Sequence, residues 1–404
     1  MTRKSPKPFL KLATPLACAA ALALTACGGG GGGNDPFTMA VIGDVPYGTS
    51  PTDTAQSTAL PAYLKALDTD ADVSMALHVG DIHSGSQYCT QDYDKSIFTA
   101  FSALKHPLVY APGDNEWTDC HKAKEGGGSY NSATGAIDYK LDANGNPIDY
   151  ASGDPLKNLD LVRSIFFAQP GKTLGGSMSV HTQAAEFDPQ YPTDKNYVEN
   201  VWFENSGVLV FTLNMPGGSN NDTDPWYGAP AMSDAQKQEV ANRTAADLRW
   251  IDTAFNRAVA NQNYAVVIQL QADMWDLDGK TASHIAQYQQ FIDKIAQRAK
   301  DYGKPVLLFN GDSHIYRSDN PLVQGAPCIA EPSSGAAAVA CSDDAYANQP
   351  HGYNVPNFHR ITVHGSTMPL EWLKLKVDPN YSTSAPATAT SFGPFSWQRM
   401  QPKL

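Results

Sequence analysis

The chain has 404 residues, with 29 basic and 41 acidic side chains and a formal charge of −12. Its 42% apolar content is that of a folded protein with a full core, which excludes a disordered chain. The acidic excess repels phosphate backbones, so nucleic acid is excluded as a bulk partner, while bound cations are well tolerated.

Residues 1–26 read as a secretory signal, with a basic start (Arg3, Lys4, Lys7, Lys11), a short apolar run and small residues before Cys27. The run is too short to span a membrane. "LTAC" at 24–27 resembles the lipobox of bacterial lipoproteins. That resemblance implies cleavage before Cys27, lipid on its thiol and a glycine-rich tether over 27–36. The protein would then sit in the bacterial cell envelope, facing the periplasm or on the outer membrane, and touch the membrane through lipid alone. Losing residues 1–26 removes four basic residues and no acid, leaving 25 positive side chains against 41 negative ones.

Cys18 leaves with the signal. Cys89, Cys120, Cys328 and Cys341 remain, an even number that in an exported protein points to disulfides. Cys89–Cys120 and Cys328–Cys341 are the expected pairs. A zinc site is the weaker reading, because no Cys-x-x-Cys pair exists.

After the tether, "FTMAVIGD" (37–44), "ADVSMALHVGD" (71–81) and "HPLVYAPGD" (106–114) read as short buried strands separated by helix-length segments. That alternation predicts a parallel sheet. Residues 125–160, rich in Gly, Asn and Asp, read as a surface insertion. Asn205-Ser206-Gly207 between two apolar runs predicts a hairpin, so the sheets are mixed. Ser233 opens a helix, with Gln236 placed for a capping box and Val240, Leu248, Ile251, Phe255 and Val259 at helical spacing. "YAVVIQLQAD" (264–273) is another strand. Residues 282–300 form an amphipathic helix with Ile285, Tyr288, Ile292 and Ile295 on one face. "PVLLFNGD", "NFHRITVHG" and "LEWLKLKV" are further strands, and 381–404 reads as a loosely held tail. The core domain is thus expected over 37–380. "PGGSNND" (216–222) reads as a plain turn, and His78 as a packed core histidine.

Four strand-like runs end in Gly-Asp, which sets Asp44, Asp81, Asp114 and Asp312 at strand carboxyl ends, where open α/β sheets bind ligands. Glycine before each lets the chain turn as it leaves the sheet. Four carboxylates on one rim repel each other unless their pKa values rise or cations neutralise them, and a divalent pair is the simplest resolution.

The series "GDVPY", "GDIHS", "GDNE", "QLQAD", "GDSH" resembles, in order and spacing over residues 37–375, the motifs of the calcineurin-like metallophosphoesterases, whose relatives include the purple acid phosphatases. "DLRWIDTAF" resembles the helix segment that often precedes the family's fourth motif. The resemblance implies an α/β fold, a four-layer αββα sandwich of two mixed sheets flanked by helices, and hydrolysis of a phosphomonoester or phosphodiester by a metal-activated water. It also implies two divalent metal ions. Asp44 would hold one ion and Asp81 bridge both. Asp114, Gln271, Asp312 and His314 stand at the other ligand positions. Pro46 replaces the first-motif histidine, so Tyr47 or His83 would have to substitute there, and Asp273 would take the place of Gln271, a poor ligand beside an imidazole. Asn115 stands at the family's catalytic histidine and would hydrogen-bond phosphoryl oxygens. His83 and His121, on loops beside the rim, are the candidate proton donors. An oxygen-rich set favours Mn, Mg or Ca, while His314 keeps Fe and Zn in play. The competing reading is a non-catalytic, calcium-binding or metal-free binding module on the same fold.

Overall fold

The computed structural model describes residues 1–2 and 34–402 apart from 45, 49, 52, 54, 222, 277–280, 333–335, 344, 350, 351, 366, 367 and 369, and omits the side chains of 55–57, 284 and 348. Asn34–Leu404 form one compact unit. Residues 3–33, with most of the expected signal, Cys27 and all but the end of the expected tether, lie outside the described residues.

The main elements in chain order are β1 (Phe37–Ile42), α1 (Ala55–Thr69), β2 (Val73–His78), α2 (Gln91–Ser102), β3 (Pro107–Tyr110) and α3 (Pro155–Phe166). Then come β4 (Val201–Asn205), β5 (Val208–Thr212), α4 (Asp234–Ala260), β6 (Ala265–Gln269), α5 (Gln289–Tyr302), β7 (Val306–Asn310), β8 (Phe358–Thr362), β9 (Trp372–Val377) and β10 (Phe395–Met400). One sheet runs β10-β9-β1-β2-β3, with the short pieces 391–392 and 174–175 at its two edges. The other runs β8-β7-β6-β5-β4, extended by 317–319, 329–330 and 339–340 beyond β8 and by 181–182 beyond β4. β1, β2 and β3 are parallel, as are β5, β6, β7 and β8, while β9 and β4 pair antiparallel, so both sheets are mixed.

Strand side chains alternate between faces, and here both faces are apolar. Met39 and Val41 of β1, Val208 and Val210 of β5, and Ala265 and Val267 of β6 share one core between the sheets. Ala40 and Ile42 point instead to α1, α2 and α3, where Leu64, Phe101 and Val162 meet them. Leu209, Phe211, Val266 and Ile268 pack on Ile251, Phe255, Ile292 and Ile295 of α4 and α5. The result is the four-layer αββα sandwich: two large mixed sheets face to face, with helices outside. Both expected disulfides are present, Cys89–Cys120 and Cys328–Cys341. His78 is buried against Phe101 and Tyr110.

Several local expectations shift. Ser206 and Gly207 both have positive φ, the backbone of a tight two-residue hairpin. Ser233 caps α4 by accepting the Gln236 N–H, but the Gln236 side chain bonds Trp226, Asn221 and Asp224 rather than closing the box. Val259, at helical spacing, is exposed, while Ala258 beside it faces the core. The 282–300 helix is two, Ala282–Ala286 and α5, with Tyr288 at the junction. Within 125–160, only the 128–131/136–139 hairpin stands apart as its own small sheet; Glu125 and Asp149 are buried, and Asp154 caps α3. The segment read as a loose tail is built into the first sheet. Phe395 and Trp397 alternate inward on β10, and burying two aromatic rings outweighs a Ser/Thr-rich approach.

His359 on β8 is buried, stacks on Phe392 and lies 2.9 Å from Ser318 Oγ through Nε2. Burial lowers its pKa to about 4. The unfolded chain titrates near 6.5 and therefore binds more protons between those values. Its stabilising contribution is complete above pH 6.5 and falls away toward pH 4, a loss approaching about 3 kcal/mol. Urea midpoints of the wild type should accordingly drop more steeply over that window than those of His359→Gln. Parallel slopes would exclude His359 as a source of the acid sensitivity.

Candidate metal centre

The carboxyl ends of β1, β2, β3, β6 and β7 deliver Asp44, Asp81, Asp114, Gln271 and Asp312 to one edge of the sandwich. Asp44, Asp81, Asp312 and His314 take left-handed backbone, with φ of 55°, 58°, 72° and 61°. Thus the aspartates make most of the turns that were expected of the glycines. The glycines make room instead. A Cβ on Gly113 would lie 2.0 Å from Asp81 Oδ1, and one on Gly311 would lie 2.0 Å from Asp44 Oδ2. Each carboxylate rests on the glycine of another strand end, and any side chain there would evict it.

Asp44, Asp81 and His314 each offer a ligand atom within 4.8 Å of the other two. His314 Nε2 lies 3.1 Å from Asp44 Oδ1 and 3.1 Å from Tyr47 Oη. Asp44 is fully buried, and its Oδ2 accepts no hydrogen bond. Burial, then the charges of Asp114 and Asp44, push the Asp81 carboxyl well above the usual range. Burial disfavours the His314 imidazolium, but the Asp44 carboxylate beside it outweighs that and raises its pKa. The donor set of two carboxylates and an imidazole, with one buried oxygen left without a donor, fits a divalent cation.

The remaining candidates are placed differently. Gln271 Nε2 donates to Asp81 Oδ2 and Asp114 Oδ1, both at 3.1 Å, and Gln271 Oε1 accepts the Gly217 N–H. Its amide thus bridges the two carboxylates and the Gly217 backbone by hydrogen bonds. Asp273 is not free either. Its Oδ1 takes Arg360 Nη1 at 2.5 Å and the Trp275 N–H at 3.0 Å, and its Oδ2 takes Ser313 Oγ at 2.9 Å. A fully buried guanidinium needs an anion, and Asp273 supplies one together with Asp319. Asp273 also donates its N–H to Asp312 Oδ2. Tyr47 reaches His314 as a hydrogen-bond partner.

Neither expected proton donor is poised as an acid. His83 is buried, with Nε2 3.6 Å from Cys89 Sγ and Nδ1 3.3 Å from Ser84 O. His121 Nδ1 accepts the Tyr227 N–H at 2.9 Å. Burial takes both to a pKa of about 4, so both are neutral at pH 7. Asn115 donates its N–H to Asp81 Oδ1 at 3.3 Å, and its side chain lies beside Gly85. Its carbonyl oxygen lies 3.3 Å from Cys89 Sγ and 3.5 Å from Cys120 Sγ, so the disulfide braces the Asp114–Asn115 loop.

Sequence reasoning gave Glu116 no role, although it ends the "GDNE" motif. Its Oε1 accepts the N–H groups of Ile82 and Gly113 and the Tyr110 hydroxyl, which ties the β2 and β3 ends together. Burial raises its pKa to about 7. The described part of the 216–222 stretch, 216–221, is also more than a plain turn. Gly218, Ser219, Asn220 and Asn221 are all left-handed, and a Cβ on Gly217 would lie 2.6 Å from Asp312 Oδ1 and 2.7 Å from Asp114 Oδ2. No sequence pattern announces either role, since both depend on what the neighbouring strand ends deliver. A cleft of about 840 Å³ is lined by residues such as Thr38, Lys374, Trp397 and Arg399 and by none of the candidate ligands.

No family model matches the chain, and no curated protein matches its sequence. Among solved structures, it is similar to a purple acid phosphatase isolated from yellow lupin (Lupinus luteus) seeds, with a TM-score of 0.35 and 12% identity over 82% of this chain and 44% of that one. The chain therefore spans less than half the length of that protein, and a likeness this slight says nothing of its chemistry.

The disulfide brace has a measurable weight. Cys89–Cys120 closes a 31-residue separation, for which chain entropy gives about 3–4 kcal/mol. The Cys89→Ser/Cys120→Ser variant should lose about that much in urea denaturation. A loss under about 1 kcal/mol would mean that the surrounding packing, not the bond, fixes the loop.

Proposed function

We propose that the protein is a metal-dependent phosphoesterase whose divalent cation is held by Asp44, Asp81 and His314. The observation that carries this reading is the convergence of those three side chains, with Asp44 Oδ2 buried and lacking a donor. The motif series and the αββα sandwich support it. A bound divalent cation supplies Lewis-acid polarisation of a phosphoryl oxygen and acidifies water. Asp81 is kept in place by the Asn115 N–H and Gln271, and His314 by Asp44 and Tyr47. The Asn115 side chain is assigned to hydrogen-bond the phosphoryl group. With His83 and His121 neutral and engaged, the leaving alkoxide takes its proton from solvent.

That same engagement of both histidines favours, as second reading, a binding module that holds a cation without turning over substrate. Hydrolysis of para-nitrophenyl phosphate and of its bis-ester separates the two. The full chain, stripped of metal and resupplied singly with Mn²⁺, Mg²⁺, Ca²⁺, Fe²⁺ or Zn²⁺, should regain activity with at least one ion. Asp81→Ala should lower it at least about 100-fold, since a ligand contributes no less than the residues that orient it. A folded protein that binds metal yet hydrolyses neither ester would sustain the binding module.

We further infer export and lipid anchoring at Cys27, supported by the "LTAC" sequence and the two disulfides. Among the described residues no helix is long and apolar enough to cross a membrane. Fractionation of expressing cells should find the wild type with membranes and Cys27→Ala in the soluble fraction. An unchanged distribution would remove the anchor.

A further inference from the structure

The ligand set expected from sequence would hold two cations, and the second would need the space between Asp81 and Asp114. In the structure a side-chain amide spans that pair. Gln271 Nε2 lies 3.1 Å from Asp81 Oδ2 and 3.1 Å from Asp114 Oδ1. A primary amide has two N–H donors, and both are spent here.

Which end of the amide faces the carboxylates is fixed from behind. Gln271 Oε1 accepts the backbone N–H of Gly217. A backbone N–H can only donate, so the oxygen belongs there and the NH₂ belongs against the carboxylates. A flipped amide would set donors against a donor and an oxygen against two anions.

Gly217 is itself held. It opens the left-handed turn in which Gly218, Ser219, Asn220 and Asn221 have φ between 58° and 63°. Buried Arg243 donates to Asn220 Oδ1 at 2.5 Å and to Asn220 O at 3.0 Å, and is neutralised by Glu239. Tyr288 Oη donates to Pro216 O and accepts the Asn220 N–H, each at 2.9 Å. Four such residues in a row are costly outside glycine, and this network of buried bonds holds them.

We propose that the centre holds one divalent cation, on Asp44, Asp81 and His314, and that the Gln271 amide takes the place of a second cation between Asp81 and Asp114. The proposal rests on the metal-centre reading above. Apart from the disulfide cysteines with His83, Asp44, Asp81 and His314 are the one three-ligand group among the described residues, and neither Asp114 nor Asp312 joins such a group. A cation entering between Asp81 and Asp114 would have to turn Gln271 away. That would strand the Gly217 N–H and the amide itself, both buried, where lost partners are not replaced by water. The turn at 217–221 is then the device that keeps the amide in place, and Gln271 is a positioning residue for Asp81.

The test is a count of bound ions. The full-length protein is stripped, loaded with excess Mn²⁺, freed of unbound ion, and measured by elemental mass spectrometry and by electron paramagnetic resonance. The wild type should hold one Mn²⁺ per chain, with the spectrum of an isolated ion. Gln271→Glu turns the donor into a ligand and should raise the count to two, with spin-coupled Mn²⁺ signals. Asp44→Ala should lower it to zero. Two coupled ions in the wild type would overturn the single-cation centre. One ion in both wild type and Gln271→Glu would overturn the role given to Gln271. No ion in the folded wild type would instead overturn the metal-centre reading on which both depend. The wild-type count needs no variant to fold.

Discussion

Carboxylates brought together out of water repel each other, and the architecture around Asp44, Asp81 and Asp114 is arranged against that repulsion. Burial and neighbouring charge already push the Asp81 carboxyl well above its usual range. Gln271 offers two N–H groups to the pair it spans, the Asn115 N–H serves Asp81, and His314 faces Asp44. Without such donors, or a cation, the strand ends could not converge so closely. The glycines at 113 and 311 are the steric half of the same arrangement, since each leaves the volume that a foreign carboxylate fills.

Around this centre the fold adds ties that act on loops rather than on ligands. Glu116 joins the ends of β2 and β3 through three hydrogen bonds. The Cys89–Cys120 disulfide presses on the Asn115 carbonyl from the other side. Arg360 pairs with Asp273 and Asp319, and Asp273 passes its own N–H to Asp312. A site on loops holds its geometry only where the loops are locked from behind. Here Glu116 supplies that backing to the loops of Asp81 and Asp114, and Arg360, through Asp273, to the loop of Asp312.

The displaced expectations share one cause. His83, His121, Asp273 and Gln271 have side chains that can ligate metals or carry protons, and all four have polar partners. Those partners are a disulfide and a carbonyl, a backbone N–H, a buried guanidinium, and two carboxylates with a glycine N–H. Residue type states what a side chain can bind. Its neighbours, remote in sequence, decide what it does bind. The end of the chain is similar: Ser and Thr suggested a tail, but the alternation of Phe395 and Trp397 put a strand there.

By itself the sequence determined the layered fold, because alternating apolar runs and helical spacing are local signals that packing then reinforces. It determined the cysteine pairs that the fold brings together, and the four Gly-Asp strand ends, because strand direction places them all at one edge. Tertiary structure alone decided which of those groups meet. Asp44, Asp81 and His314 converge because β1, β2 and β7 lie on two facing sheets, a relation that no spacing encodes. It alone turned the Gln271 amide toward Asp81 and Asp114, since that orientation is set by one N–H of Gly217, 54 residues away along the chain.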